Sequence, residues 1–265
     1  MRNKILVIFP HGIGDAIMCN NALYQLSEEH DRKLVLGVKK VVHESKLYEH
    51  CGFVDSTIEF PDIWQDYGLI DGASWNDVLR KNIEYGIAYA KSISDIEFAV
   101  HVPLMSCIPP NKMPRYVAAC LDMRLEPEAL VCDKVYLADD PWDIGSEFDK
   151  DYIFIADDKE GWTDKDRQSI EDFAKYEFGD IDIVRSSHHK HLGINAVFDI
   201  MSMATNSIVA ESCWYHAANA MKVNVDYVVL NQEPDEWLSV ILKKPHINFE
   251  LITLNEIKER NEDVS

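Results

Sequence analysis

Hydrophobic and polar positions alternate in two rhythms along this chain. Lys4 to Phe9 (KILVIF) is a continuous apolar run rich in Ile and Val, the pattern of a parallel strand buried on both faces. From Asp15 to Ser27 the apolar residues Ile17, Met18, Leu23 and Leu26 form a helical face. Lys33 to Val38 (KLVLGV) reads as a second strand, Val41 to Cys51 as a helix, and Val54 to Phe60 (VDSTIEF) as a third strand. This β-α-β-α-β succession predicts a doubly wound α/β domain. A helix from about Trp75 to Ser92, a strand from Ile96 to Val102 and a helix from about Arg115 to Leu121 continue it. Between them lie an acidic, aromatic stretch from Pro61 to Ala73 and a Pro-rich loop from Pro103 to Pro114.

The pattern stops and then restarts. Cys132 to Asp151 is acidic, carries Pro and Gly and has no period, so it is the predicted linker. After it come a strand (Tyr152 to Ala156) and a helix (Thr163 to Phe178), with Thr163 and Asp166 at the spacing of a capping box. A strand (Ile181 to Ser186), a helix (Val197 to Thr205), a strand (Ser207 to Ala210), a helix (Ser212 to Lys222) and a strand (Val225 to Leu230) follow. The expected architecture is α/β: two facing Rossmann-like domains, residues 1–140 and 151–265, with an inter-domain cleft where ligands bind.

Composition narrows the function classes. A chain of 265 residues with 47% hydrophobic content has ample material for packed cores. No apolar run approaches the roughly 20 residues that span a bilayer, and no small-residue cleavage site follows the short apolar start, so neither a membrane span nor a signal peptide is expected. Six scattered cysteines without a C-x-x-C pair suit buried free thiols in a reducing cytoplasm rather than a disulfide frame or zinc site. The formal net charge of -20 opposes nonspecific attraction to nucleic acid or anionic lipid. The basic stretches Arg185 to Gly193, Lys243 to His246 and Pro109 to Arg115 read as ordinary loops. The Asp-Asp pairs of "ADDPWD" and "IADDKE" read as solvated charge rather than a D-x-D metal site, so no metal is expected.

Two stretches carry candidate chemistry. In "PHGIGDA", Gly12 and Gly14 would let a ligand approach the backbone, while His11 and Ile13 complete the loop. Asp15 sits at or just before the first helical turn, where the macrodipole stabilises a carboxylate; a plain N-cap is the competing reading. The third glycine of a dinucleotide fingerprint is missing. In "IVAESCWYHAANAMKV" a strand ends at Ala210 and a turn with Glu211 and Ser212 opens a helix, with His216 about one turn in. Free N–H groups at such a helix start are a seat for phosphate, and Ser212 as an N-cap is again the plain alternative.

"ILVIFPHGIGDAIMCNNALYQL" resembles the opening of the lipopolysaccharide heptosyltransferase family, glycosyltransferase family 9. "FDIMSMATNSIVAESCWYHAANAMKVNVDYVVL" is similar to that family's second signature, and "ADDKEGW" to its Lys-x-Trp loop. The likeness covers the two ends of the chain well and Leu69 to Lys150 poorly. It implies a GT-B fold with the acceptor on the N-terminal domain and a nucleoside-diphosphate sugar on the C-terminal one. It aligns Asp15 with the family's general base, Glu211 with its acid near the donor, Ser212 and His216 with the hydroxyl and histidine of that turn, and Lys159 with its phosphate-contacting lysine. Glu211 stands where the family has Asp. Cys213, followed by bulky Trp214 and Tyr215, stands where it has Gly, which is expected to crowd the diphosphate.

The resulting expectation is a cytoplasmic, inverting, metal-independent glycosyltransferase that needs no cofactor beyond its sugar-nucleotide co-substrate. Asp15 would deprotonate a saccharide or glycolipid hydroxyl; Lys159, Ser212 and Cys213 would stabilise the leaving diphosphate. Two alternatives stay open. One is transfer to hydroxymethylated DNA, with Trp64, Tyr67 and Trp75 stacking on an extruded base. The other is a binding module that kept the fold and lost catalysis.

Overall fold

A computed structural model describes residues 4–49, 51–60, 75–92, 95–104, 115–126, 148, 150–231 and 247–262. The chain divides into two compact units, Met1–Asp140 and Pro141–Ser265. Each is built on a parallel sheet with helical crossovers. Elements are numbered in chain order among the described residues.

The first unit runs β1 (Lys4–Phe9), α1 (Ile13–His30), β2 (Lys33–Val38), α2 (Lys40–Glu44), β3 (Val54–Glu59), α3 (Trp75–Ser92), β4 (Ile96–His101) and α4 (Arg115–Asp122). The sheet order is β3-β2-β1-β4, all parallel. The central β1 is almost wholly buried, as its unbroken apolar run demands. Because β2 flanks it on one side and β4 on the other, the chain reverses its winding direction between β1 and β4. In open α/β sheets that reversal leaves a crevice at the carboxyl ends of the strands.

Two helices of the first unit differ from the sequence reading. α1 begins at Ile13, so Asp15 lies inside the first turn and Gly12 holds the N-cap position; Asp15 is not a cap. Apolar periodicity cannot see a start written Gly-Ile-Gly, because glycine contributes nothing to a hydrophobic face. The helix expected from Val41 to Cys51 is only Lys40–Glu44. Ser45 turns its hydroxyl back onto the Val42 carbonyl at 2.7 Å, and Lys46 adopts a left-handed φ of 58°. A left-handed residue cannot continue a right-handed helix.

The second unit runs β5 (Tyr152–Ile155), α5 (Asp164–Phe178), β6 (Asp182–Arg185), α6 (Ser186–His189) with a 3₁₀ turn (Lys190–Leu192), α7 (Ile194–Met203), β7 (Asn206–Ala210), α8 (Cys213–Met221), β8 (Tyr227–Leu230), β9 (Glu250–Thr253) and α9 (Leu254–Glu262). The order is β6-β5-β7-β8-β9, again all parallel, and the reversal falls between β5 and β7. Ile153, Ile155, Ile170, Phe173, Ile208, Val229 and Ile257 form its core. The capping box at Thr163 and Asp166 is complete in both directions. Lys258 also binds Asp166, and this partner first, then Thr163, holds the carboxyl down at about 2. Arg185 to Gly193 is not a loop but the end of β6, α6 and the 3₁₀ turn. After the strand read at Val225 to Leu230, which the structure places at Tyr227–Leu230, come β9 and α9, which the sequence reading did not include.

Most of the expected linker, the basic stretch from Lys243 to His246, and Trp64 and Tyr67 lie outside the described residues. No described helix is long and apolar enough to cross a membrane.

One close contact fixes α3 on the first sheet. A Cβ built on Gly86 would lie 1.9 Å from Ile8 Cδ1 and 2.8 Å from its Cγ1. Ile8 is 2% exposed, so its side chain could move aside only by displacing other core residues. Glycine-to-alanine in a helix ordinarily stabilises by about 1 kcal/mol. Here overpacking, typically about 1–3 kcal/mol, outweighs that gain. Gly86→Ala is therefore expected to lower the urea midpoint of the first unit, and a raised midpoint would contradict this packing.

Candidate functional site

The sequence-derived residues fall into two groups, one at the carboxyl rim of each sheet. In the first unit, β1 ends in Phe9 and the chain turns through Pro10, His11 and Gly12 into α1. His11 Nε2 lies 2.8 Å from the Val102 carbonyl, beyond the end of β4. A carbonyl only accepts, so Nε2 carries a proton. That bond ties together the two loops flanking the β1–β4 reversal. Gly12 has an ordinary φ of -78°, so the turn itself does not require glycine. A Cβ there would meet nothing within 4 Å among the described residues, leaving the backbone open to close approach. Ile13, Gly14 and Asp15 form the half-buried first turn of α1, with Asp15 the acid at its positive end.

Two further groups on this rim escaped the sequence reading. His101 closes β4 level with Ile8. Burial first, and then proximity to His11, lowers its pKa to about 4, so it is neutral at pH 7. Its Nε2 is buried and has no hydrogen-bond partner among the described residues. Asp122, at the end of α4, accepts the Leu104 N–H at 2.8 Å; burial lifts its carboxyl to about 6.

In the second unit the loop after β5 lies on the β5–β7 reversal. Lys159 Nζ donates to the Glu211 carbonyl at 2.7 Å and lies 3.4 Å from Glu211 Oε2. Two residues proposed separately for the donor are therefore bonded to each other. Ser212 occupies the N-cap position of α8, but its hydroxyl does not cap the helix; it lies 3.5 Å from the Ala210 carbonyl. The Ser212 hydroxyl and the N–H groups of Cys213 and Trp214 lie near the Cys213 sulfur and act to lower its pKa. Burial, and then the Asp158 charge, overrides those contacts and pushes the thiol up to about 12, so a neutral sulfur sits at the helix start. His216 lies one turn further along, half-buried beside the Tyr215 ring.

The crowding expected where Cys213 replaces Gly is not added to by the bulky residues that follow it. Trp214 is 3% exposed and packs on Phe154 and Phe198, and Tyr215 packs on Phe249. Both rings point into the core. Only Cys213 stands at the entrance.

Asp157 and Asp158 are not solvated charge. Asp157 is 2% exposed; its oxygens accept from the Ser187 N–H at 2.9 Å and the Ser187 hydroxyl at 2.8 Å, with Arg185 3.9 Å away. Asp158 Oδ1 accepts from Trp214 Nε1 at 2.7 Å and from the Ser186 hydroxyl at 3.0 Å, and Lys190 approaches Oδ2 at 3.3 Å. Further along the loop, Trp162 Nε1 donates to Asn231 Oδ1 at 2.6 Å. One short loop thus reaches the ends of β6, β7 and β8. The signal was present in the sequence: both acids directly follow a buried parallel strand, where open α/β sheets gather their polar groups. The cations here are already engaged, Lys159 by Glu211, Lys190 by Asp158, and Arg185 by Glu171 and Asp157. No set of three or more His, Cys, Asp or Glu among the described residues is arranged to hold a metal ion.

With this geometry in hand, comparison with solved structures gives a consistent fold. The chain is similar to E. coli ADP-heptose lps heptosyltransferase II, with a TM-score of 0.58 and 14% identity over 98% of this chain and 97% of that one. It is also similar to E. coli heptosyltransferase WaaC with ADP-2-deoxy-2-fluoro heptose, with a TM-score of 0.55 and 11% identity over 99% of this chain and 100% of that one. WaaC with ADP gives a TM-score of 0.52 at 12% identity, over 99% and 100% of the two chains. At such identities the likeness establishes the fold: two Rossmann-like α/β units of the kind found in these glycosyltransferases. No protein-family model matches the sequence, and no protein of curated function matches it.

Asp158 offers a direct test of the rim network. Asp158→Ala leaves the buried indole N–H of Trp214 without its acceptor, at a cost of about 1–3 kcal/mol. In a double-mutant cycle by urea unfolding, Asp158→Ala and Trp214→Phe should be strongly non-additive. Additive losses would mean that the two side chains do not depend on each other.

Proposed function

We propose that the protein is a glycosyltransferase that moves a sugar from a nucleoside diphosphate to a hydroxyl acceptor, with inversion and without a bound metal. The observation that carries this reading is the pairing, at the winding reversal of the second sheet, of the Lys159 loop with the uncapped start of α8. The fold likeness to heptosyltransferases supports it, and so do the sequence resemblances at Asp15 and at Glu211 to His216. The WaaC structures hold ADP and an ADP-heptose analogue, so an ADP-sugar is the first donor to test.

In this reading the second unit carries the donor. The first N–H groups of α8 and the Lys159 ammonium hydrogen-bond the diphosphate and stabilise the charge it gains as the glycosidic bond breaks. Ser212 adds a hydroxyl donor, and Glu211 accepts from a ribose hydroxyl. The first unit carries the acceptor. Asp15 takes the proton from the acceptor hydroxyl as that oxygen attacks the anomeric carbon, and His11 and Gly12 shape the approach. The assigned acceptor is a saccharide or glycolipid, and the assigned compartment is the cytoplasm.

Neither alternative gains an observation. Two of the aromatics named for a flipped base lie outside the described residues. Of Cys213 and Trp214, the two departures that favour lost catalysis, Trp214 turns into the core.

Two measurements test the proposal. ADP should bind in the presence of a chelator, and Ser212→Ala should weaken it by about 10- to 150-fold, the loss of one charge-assisted hydrogen bond. With an ADP-sugar and an accepted acceptor, Asp15→Asn should preserve ADP affinity and lower turnover by about 10²–10⁴-fold. Unchanged turnover would remove Asp15 from the role of base.

A further inference from the structure

The Lys159–Glu211 pair has a consequence for selectivity. Glu211 N–H donates to the Val229 carbonyl at 3.0 Å, extending the β7–β8 ladder by one bond. Its backbone is therefore fixed by the sheet, and only the side chain can swing. Lys159 is held twice, by the Glu211 carbonyl at 2.7 Å and by the carboxylate at 3.4 Å. Their side chains are 15% and 20% exposed, so solvent screens the pair only in part. The shorter bond goes to the carbonyl. Removing the carboxylate charge thus leaves the lysine anchored and makes its full charge available.

We propose that Glu211 is a specificity-determining residue: its carboxylate occupies Lys159 and repels free phosphate and pyrophosphate, so that only a ligand that also offers a ribose hydroxyl to that carboxylate binds well. This inference rests on the donor reading above. A bare anion at the start of α8 meets the Glu211 charge with nothing to offset it. A nucleoside diphosphate meets the same charge but gives its oxygens a hydroxyl to accept from, which turns a repelling group into a bonding one. Selectivity arises in this way when a site hydrogen-bonds one ligand and leaves its charge uncompensated against another. The surroundings add to the effect, because Asp157 and Asp158 engage Arg185 and Lys190. Lys159 is then the rim cation whose release an incoming phosphate must obtain. The Glu211 field reaches the helix start: after burial, it is the second cause that raises the Tyr215 hydroxyl to about 12.

The test is calorimetric titration of inorganic pyrophosphate and of ADP, both in chelator, against the wild type, Glu211→Gln and Glu211→Gln/Lys159→Met. Glutamine keeps the shape and removes the charge. Thermal melting checks that each variant is folded. Glu211→Gln is expected to bind pyrophosphate about 10-fold or more tightly than the wild type, the scale of one charge-assisted contact. ADP should gain less or weaken, and the added Lys159→Met should abolish the pyrophosphate gain. Equal changes for both ligands, or weaker pyrophosphate binding in Glu211→Gln, would overturn the filter while leaving the donor site standing. If neither ligand binds any of the folded proteins, the donor reading and the filter fall together.

Discussion

The second unit depends on how two adjacent carboxylates at the end of β5, the buried Asp157 and the half-buried Asp158, are satisfied. An unpaired charge cannot be buried at tolerable cost, so Asp157 and Asp158 must gather donors from whatever elements end nearby. They find them in Ser186, Ser187 and Lys190 after β6, and in Trp214 at the start of α8. Such pairing offsets the desolvation of the charges rather than adding much net stability. What it fixes is position. With Asp157 and Asp158 anchored, the next residue along, Lys159, projects against Glu211, and the indole of Trp214 is drawn inward. The start of α8 then carries a neutral sulfur rather than two large rings. The candidate donor site is a by-product of satisfying buried charge.

Strands were the most legible part of the sequence. Lys4–Phe9, Lys33–Val38 and Tyr152–Ile155 are apolar throughout most of their length, and a strand buried on both faces needs that pattern. Helix ends were less legible, because they depend on backbone geometry that hydrophobicity does not record. α1 has a glycine at its N-cap position, and α2 stops two residues before a left-handed lysine. The capping box of α5 was readable since Thr163 and Asp166 announce it. The same grammar stands unread at α9, where Thr253 and Glu256 cap each other with contacts of 2.6, 2.8 and 3.2 Å.

For the candidate site, residue type misled where position would have informed. An Asp-Asp pair in an acidic chain looks like solvated charge, and in most places it is. Directly after a buried parallel strand it belongs to the rim. Trp214 makes the same point through phase. Taken one residue at a time, a tryptophan beside a phosphate seat looks like an obstruction. Taken with Ala217 and Ala218, which are fully buried three and four positions on, it falls on the face of α8 that must enter the core. His101 and Asp122 left no such signal. Each is a single polar residue at the end of an apolar segment, and only the packing of β4 and α4 gives it a perturbed proton affinity.

The two rims are electrostatically unlike, and that difference bears on which ligand suits which. The first brings together a buried imidazole that is neutral at pH 7, a carboxyl whose pKa is lifted to about 6 and is still mostly ionised at pH 7, and the acid of Asp15 at a helix start. The second is densely charged yet internally balanced, with Lys159, Arg185 and Lys190 each matched to an acid. A chain carrying a formal charge of -20 repels anions at long range. An anionic ligand is therefore held only by what acts at contact, the N–H groups of α8 and whichever cation changes partner. Of the three cations, Lys159 has a backbone carbonyl as its shortest bond, so it can turn toward a ligand without leaving its anchor.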